Sequence, residues 1–159
     1  MKNKNLITNW GLPISINNKK DLFIIEIVYK KGLLKIILDN NMERVVVQWN
    51  ANDIVLYRVF TDEDYSFDLY EIKKEDTKSY PFWLIKNSSL IEEIKSYIPE
   101  WLPERINIDK SKHYAILTLN ECIDIIAMEE PQVKVRKINL WEKLKWKFIA
   151  FKEKKIRNL

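Results

Sequence analysis

Apolar and polar positions alternate in short runs through the first third of the chain. "LFIIEIVY" (22–29), "LLKIIL" (33–38), "RVVVQW" (44–49) and "IVLYRVF" (54–60) are rich in β-branched and aromatic residues, which suit a pleated, half-buried surface. Between them lie "KKG", "DNNME" and "NAND", all turn-forming chemistry. The pattern predicts a β-meander of four strands, with Gly32 supplying the positive φ that a tight turn needs. In the first strand, alternation puts Phe23, Ile25, Ile27 and Tyr29 on one face and Leu22, Ile24, Glu26 and Val28 on the other. One polar residue in eight predicts a strand at least partly covered on both sides.

Two further strands are expected at "FDLYEIK" (67–73) and "PFWLIK" (81–86), joined by a polar loop. The period then changes. In "SSLIEEIKSYIPEW", Leu90, Ile91, Ile94, Tyr97 and Ile98 recur at helical spacing. Ser89 and Glu92 match a capping box, and Pro99 closes the helix because it lacks an N–H and disfavours helical geometry at Ile98. "PEWLPE" (99–104) follows as a stiff extended connector carrying Trp101.

"HYAILTL" (113–119) and "CIDIIAM" (122–128) flank "NE" and predict a hairpin with Leu119 opposite Cys122 and His113 opposite Met128. His113 and Cys122 are the chain's only histidine and only cysteine. In that hairpin they stand six ladder positions apart, on the order of 20 Å, whereas a thiolate and its base must approach within about 3 Å. A catalytic Cys–His pair would require the alternative, a helix capped by Asn120 with Ile123, Ile126 and Ala127 facing inward. Asp124 interrupts an apolar run on the side of Leu117. There it needs an edge position or a Lys or Arg partner, the basic tail being one source.

At 159 residues, with 47% hydrophobic and 31% charged residues, the composition is that of one globular domain. A single cysteine gives no internal disulfide, and no signal peptide or 20-residue apolar run is apparent, so a cytoplasmic location is expected. The formal charge of +4 conceals an asymmetry. From Lys134 onward there are ten Lys or Arg and two Glu, a net +8, which leaves residues 1–133 at −4. On a helical wheel of the tail, Leu140, Trp141, Leu144, Phe148, Ile149, Phe151 and Ile156 spread over about half the circumference. Lys143, Lys147 and Lys154 lie opposite. The tail reads either as a closing helix with snorkelling lysines or as a basic amphipathic helix for an anionic membrane surface or nucleic acid. The expected fold class is α+β: a mainly antiparallel β-sheet, a mid-chain helix and a C-terminal basic amphipathic helix. Residues 1–133 form the β-rich body and 134–159 the tail of the same domain.

Catalytic and cofactor chemistry finds little support. One His and one Cys do not build the usual transition-metal sites. "TDEDY" (61–65) has no EF-hand spacing. Two glycines assemble neither a Walker loop nor a dinucleotide fingerprint. A Ser–His pair would have to use His113, and no serine sits in a nucleophile-elbow sequence. No enzyme activity, cofactor or metal is expected.

Three stretches carry a family resemblance: "VLYRVFTDEDYSF" (55–67), "YPFWLIKNSSLIEEI" (80–94) and "KHYAILTLNECIDIIAMEEPQV" (112–133). In order they give Tyr57-Arg58-Val59 with an acidic turn, a Phe/Trp strand running through Asn87-Ser88 into a helix, and a His-aromatic strand. The Ile/Asp/Ile strand and Glu130-Pro131-Gln132-Val133 follow. The combination resembles small uncharacterised Gram-positive bacterial proteins of the immunity or antitoxin type, encoded beside polymorphic toxins. It covers roughly half of the chain and excludes the basic tail. The resemblance implies stoichiometric binding and neutralisation of a cognate toxin protein, without catalysis. The acidic turn at Asp62, Glu63, Asp64 and Tyr65 would then suit a basic toxin, with Trp101 as an aromatic anchor beside Glu104. The alternative is a peripheral membrane or nucleic-acid adaptor acting through Lys143, Lys147 and Lys154.

Overall fold

The computed structural model describes residues 6–10, 22–61, 81–97, 106–118, 120–139 and 141–142. Their architecture is mostly antiparallel β with one helix, in two sheets. Strands β2 (Phe23–Lys30), β3 (Leu33–Asp39), β4 (Glu43–Asn50) and β9 (Gln132–Lys137) form one sheet in that order. Strands β1 (Leu6–Asn9), β6 (Phe82–Lys86), β7 (Lys112–Leu117), β8 (Glu121–Ala127) and β5 (Ile54–Thr61) form the other, in the order β1-β6-β7-β8-β5. The meander therefore holds for three strands. After a single 3-10 turn at Ala51–Asp53, β5 leaves for the other sheet.

Local chemistry explains the turns. Lys31 and Gly32 both take positive φ (52° and 71°), as a two-residue hairpin requires. Between β3 and β4, the Asp39 carboxylate accepts from the Asn41 N–H at 2.8 Å, and the Asn40 amide oxygen accepts from Met42 and Glu43 at 3.1 and 2.7 Å. Asn41 takes φ 66°, which asparagine tolerates better than most residues.

The sheets share one core. Ile24, Ile36, Leu38, Val45, Val47 and Trp49 from the first meet Phe82, Tyr114, Ile116, Ile123, Ile125 and Ala127 from the second. Trp10 completes an aromatic cluster, its ring 4.8 Å from Tyr114, 5.8 Å from Phe82 and 5.9 Å from Trp49. Burial at the level of Ile36 or Ile125, both fully enclosed, contributes about 1.5–3 kcal/mol per side chain.

Three sequence expectations change. Strict alternation in β2 fails because the register shifts between Ile24 and Glu26. A bulge there re-aims the following side chains, so that Ile24 is buried, Glu26 is exposed and Ile27 packs on the core. The β7–β8 hairpin is shorter than expected: Leu117, not Leu119, faces Cys122, and His113 faces Ile126. Helix α1 (Ser89–Tyr97) is capped by Ser88 instead of Ser89, with the Ser88 hydroxyl accepting from the Ile91 N–H at 3.2 Å. Strands β1 and β9 were not anticipated. The expected strand at 67–73, Pro99 and the C-terminal helix beyond Glu142 lie outside the described residues. No helix among the described residues is long and apolar enough to cross a membrane.

Candidate functional site

Three neighbouring strands, β5, β8 and β7, and the turn after β6 bring polar side chains into line on the face of the sheet that points away from the shared core. Register places Asp124 between Arg58 on β5 and Ala115 on β7. His113 lies two residues from Ala115 on β7, hence on the same face. Ser88 stands where β6 turns through Asn87, φ 54°, into α1.

The contacts run in a chain. Ser88 Oγ is 2.7 Å from His113 Nδ1. His113 Nε2 is 3.1 Å from Asp124 Oδ1, with its N–H line bent off that oxygen, so this link is an electrostatic contact more than a directed hydrogen bond. Asp124 Oδ2 accepts from Arg58 Nε at 3.0 Å and Nη2 at 2.8 Å, and the guanidinium lies 5.0 Å over the Phe60 ring. Ser88 Oγ accepts from the Ile91 N–H and has one proton to donate to Nδ1, while the Asp124 carboxylate accepts on the Nε2 side. The network therefore fits an imidazole protonated on Nε2, facing the carboxylate.

Serine, histidine and aspartate in series are the residue types of acyl-transfer catalysis, and β6–Asn87–Ser88–α1 is a strand–turn–helix. Burial decides what the series does. Ser88, His113 and Asp124 are 3%, 0% and 1% exposed. The serine hydroxyl serves as a helix cap, and the aspartate is neutralised by an arginine. As it stands, the chain fastens α1 to the sheet and satisfies a carboxylate that would otherwise be buried at a cost of several kcal/mol. Cys122 is buried at the level of Leu117, four ladder positions from His113 and about 13 Å away by strand rise, so thiol and imidazole do not meet. Asp124 does have the arginine partner it needs, and β5 supplies it.

A second cluster fixes the start of the tail. The Glu142 carboxylate accepts from Arg136 at 2.6 and 2.8 Å, from Arg44 at 3.2 Å and from the Asn139 N–H at 3.2 Å; Asn139 Oδ1 accepts in return from the Glu142 N–H at 2.9 Å. Asn139 and Glu142 thus form a capping box. The Arg136 hydrogen bonds above all, then the Asn139 N–H, draw the Glu142 carboxyl down to about 2. Trp141, in the first helical turn, is 81% exposed.

Comparison with protein-family models, with curated proteins and with solved structures finds no match. Of the residues expected to bind a partner, Asp62, Glu63, Asp64, Tyr65, Trp101 and Glu104 lie outside the described residues, as do Lys143, Lys147 and Lys154. Among the described residues no group of three or more His, Cys, Asp or Glu is placed to hold a metal ion. Sequence reasoning missed Ser88 and Arg58. A signal existed for the arginine: Arg58 and Asp124 are lone opposite charges, each inside an apolar strand.

The surface carries a different feature. Tyr29, Tyr57 and Val59 are exposed. A shallow groove of about 360 Å³ runs along Tyr29, Ala51 and residues 54–57, between the end of β2 and the start of β5.

Proposed function

We propose that the protein is an immunity-type protein, binding a cognate bacterial toxin stoichiometrically and neutralising it without catalysis. The observation that carries this reading is the burial of Ser88, His113 and Asp124. The most reactive arrangement on the described chain is committed to holding α1, which leaves surface shape as the working property. Exposed aromatic side chains, such as Tyr97 at the end of α1, are the kind that anchor protein interfaces. The test is co-expression with the toxin-like protein encoded beside the gene, together with a titration of the purified pair. Growth rescue and a 1:1 complex are expected, and Ser88→Ala should preserve both if the domain still folds. Neutralisation that is catalytic, with turnover of the toxin at substoichiometric protein, would refute the proposal.

Exposure of Trp141 at the head of the basic tail favours one second reading, a peripheral adaptor for an anionic membrane surface or nucleic acid. Replacing Lys143, Lys147 and Lys154 together by Glu separates the two. Vesicle or polynucleotide co-sedimentation should collapse under the adaptor reading, while toxin neutralisation should survive under the first.

A further inference from the structure

The face of the four-stranded sheet that points away from the shared core carries its charge unevenly. Lys30 on β2 stands opposite Leu33, and one row on Lys35 of β3 stands opposite Gln48 of β4, which in turn faces Gln132 of β9. In the next row Val46 of β4 faces Lys134 of β9. Ile36 and Val47, the chain neighbours of Lys35, Val46 and Gln48, point into the core, so alternation turns these lysines and amides outward. With strands about 4.8 Å apart and a rise of about 3.3 Å per residue, Lys35 lies about 8 Å from Lys30 and Lys134 about 12 Å further on. The three follow one diagonal across the sheet. Lys30 and Lys134 are exposed and Lys35 is partly so. Among the described residues none of the three is ion-paired. Arg44 and Arg136, at the end of the line, are already neutralised by Asp39 and Glu142. Glu26 lies off the line, on β2, three strands from Lys134 in the same row.

We infer that this diagonal binds the phosphodiester backbone of a nucleic acid. Charge complementarity carries the inference, because unpaired lysines set in a line match a linear polyanion. Residues 1–133 have a net charge of −4, so the line is a local concentration of positive charge and not a share of a generally basic surface. Beside the lysines stand Gln48 and Gln132, whose amides are of the kind that donate to phosphate and sugar oxygens. The described residues of this face include no aromatic ring on which a base could stack, so the contact reads backbone and not sequence. An anionic bilayer fits this face less well. Its apolar residues, Val28, Ile37 and Val46, are partly buried among the polar ones, whereas interfacial binding inserts exposed apolar side chains. The site lies on the sheet, apart from Lys143, Lys147 and Lys154, and stands independently of toxin binding.

Fluorescence anisotropy of the full chain with a labelled single-stranded DNA of about 20 nucleotides, read between about 50 and 300 mM salt, tests it. Each phosphate contact to a single strand adds about 0.7 to the slope of log affinity against log salt. Replacing Lys30, Lys35 and Lys134 together by Gln should lower that slope by about 2 and weaken binding at about 0.1 M salt roughly tenfold or more, with an unchanged circular dichroism spectrum. Lys30→Gln or Lys134→Gln alone should each lower it by about 0.7. A control with the same loss of charge at exposed lysines elsewhere, Lys86→Gln with Lys110→Gln and Lys112→Gln, should lower it by less than one contact. Equal losses in the two triple variants overturn the inference. So does a face variant that keeps the full slope while Lys143→Glu, Lys147→Glu and Lys154→Glu together abolish binding. A wild-type protein that leaves the DNA unbound at several hundred micromolar overturns it too, as does a face variant that releases phosphatidylglycerol vesicles but holds the DNA as before.

Discussion

Removing the Arg58 guanidinium should expose what the buried chain of contacts is worth. In Arg58→Met the stem and its packing are approximately kept, while Asp124, 1% exposed, loses two charge-assisted hydrogen bonds of 3.0 and 2.8 Å. Each such bond is worth about 1.5–3 kcal/mol, and stranding one partner of a buried pair costs about 3–5 kcal/mol. Arg58 itself is 35% exposed, and water screening pulls the figure to the lower end, about 3 kcal/mol. For a chain of this size that corresponds to a fall in Tm of about 6–12 °C. Arg58→Met combined with Asp124→Leu removes both charges and should return to within about 1–2 kcal/mol of wild type, because an apolar pair can replace a buried ion pair at little cost. Thermal and urea unfolding of the two single variants and the double variant complete the cycle. A shift below about 2 °C for Arg58→Met, or a double variant that loses the sum of the single losses, would refute the account of Asp124 as a carboxylate held by Arg58.

Ser88→Ala should cost about 1–2 kcal/mol, mainly through the lost cap, and hydrogen exchange should quicken at the Ile91 amide that the hydroxyl now holds. Tyr114→Phe should be neutral or slightly stabilising, since the hydroxyl is buried with no hydrogen-bond partner and its burial raises its pKa; urea unfolding reads this directly. Glu142→Gln should show a pH signature. A carboxyl whose folded pKa lies at about 2, below its ordinary value of 4.5, contributes stability above that higher value and loses it as pH falls towards the lower one. Thermal melts should therefore separate wild type from Glu142→Gln at pH 6 and bring them together as the pH falls from 4.5 towards 2.

Much of the fold was legible because hydrophobic period and turn chemistry agree. β2, β3, β4, β5, β6 and α1 stand where the apolar runs and the Asn, Asp and Gly residues between them place them. What the pattern could not state was partnership. Nothing local tells β5 to leave its hairpin neighbours, and β1, four residues of which two are polar, carries too little periodicity to be recognised. The β2 bulge was equally hidden, because its support comes from a distant loop. Asn120 reaches across to β2, its amide oxygen accepting from the Ile24 N–H at 3.1 Å and its amide nitrogen donating to the Ile24 carbonyl at 3.0 Å. The polar chain from Ser88 to Arg58 draws on three strands and a helix cap, and no spacing in the sequence announces such an arrangement.

The hairpin register shows why that polar chain matters to the fold. Pairing Leu119 with Cys122 and pairing Leu117 with Cys122 differ by two residues, so every side chain keeps its face, and hydrophobic patterning cannot choose between them. The observed register closes a four-residue loop in which the Thr118 N–H donates to the Glu121 carbonyl at 3.1 Å and the Thr118 hydroxyl donates to that carbonyl at 2.7 Å. It also sets His113 one diagonal step from Asp124, which the alternative would stretch to four ladder positions, about 13 Å. The slipped hairpin would leave a buried imidazole and carboxylate without each other. The discriminating free energy is thus electrostatic, worth a few kcal/mol, while the burial that drives collapse is common to both registers. Polar residues inside an apolar sheet here select one pairing among several of equal hydrophobic merit, which explains their presence without assigning them a reaction.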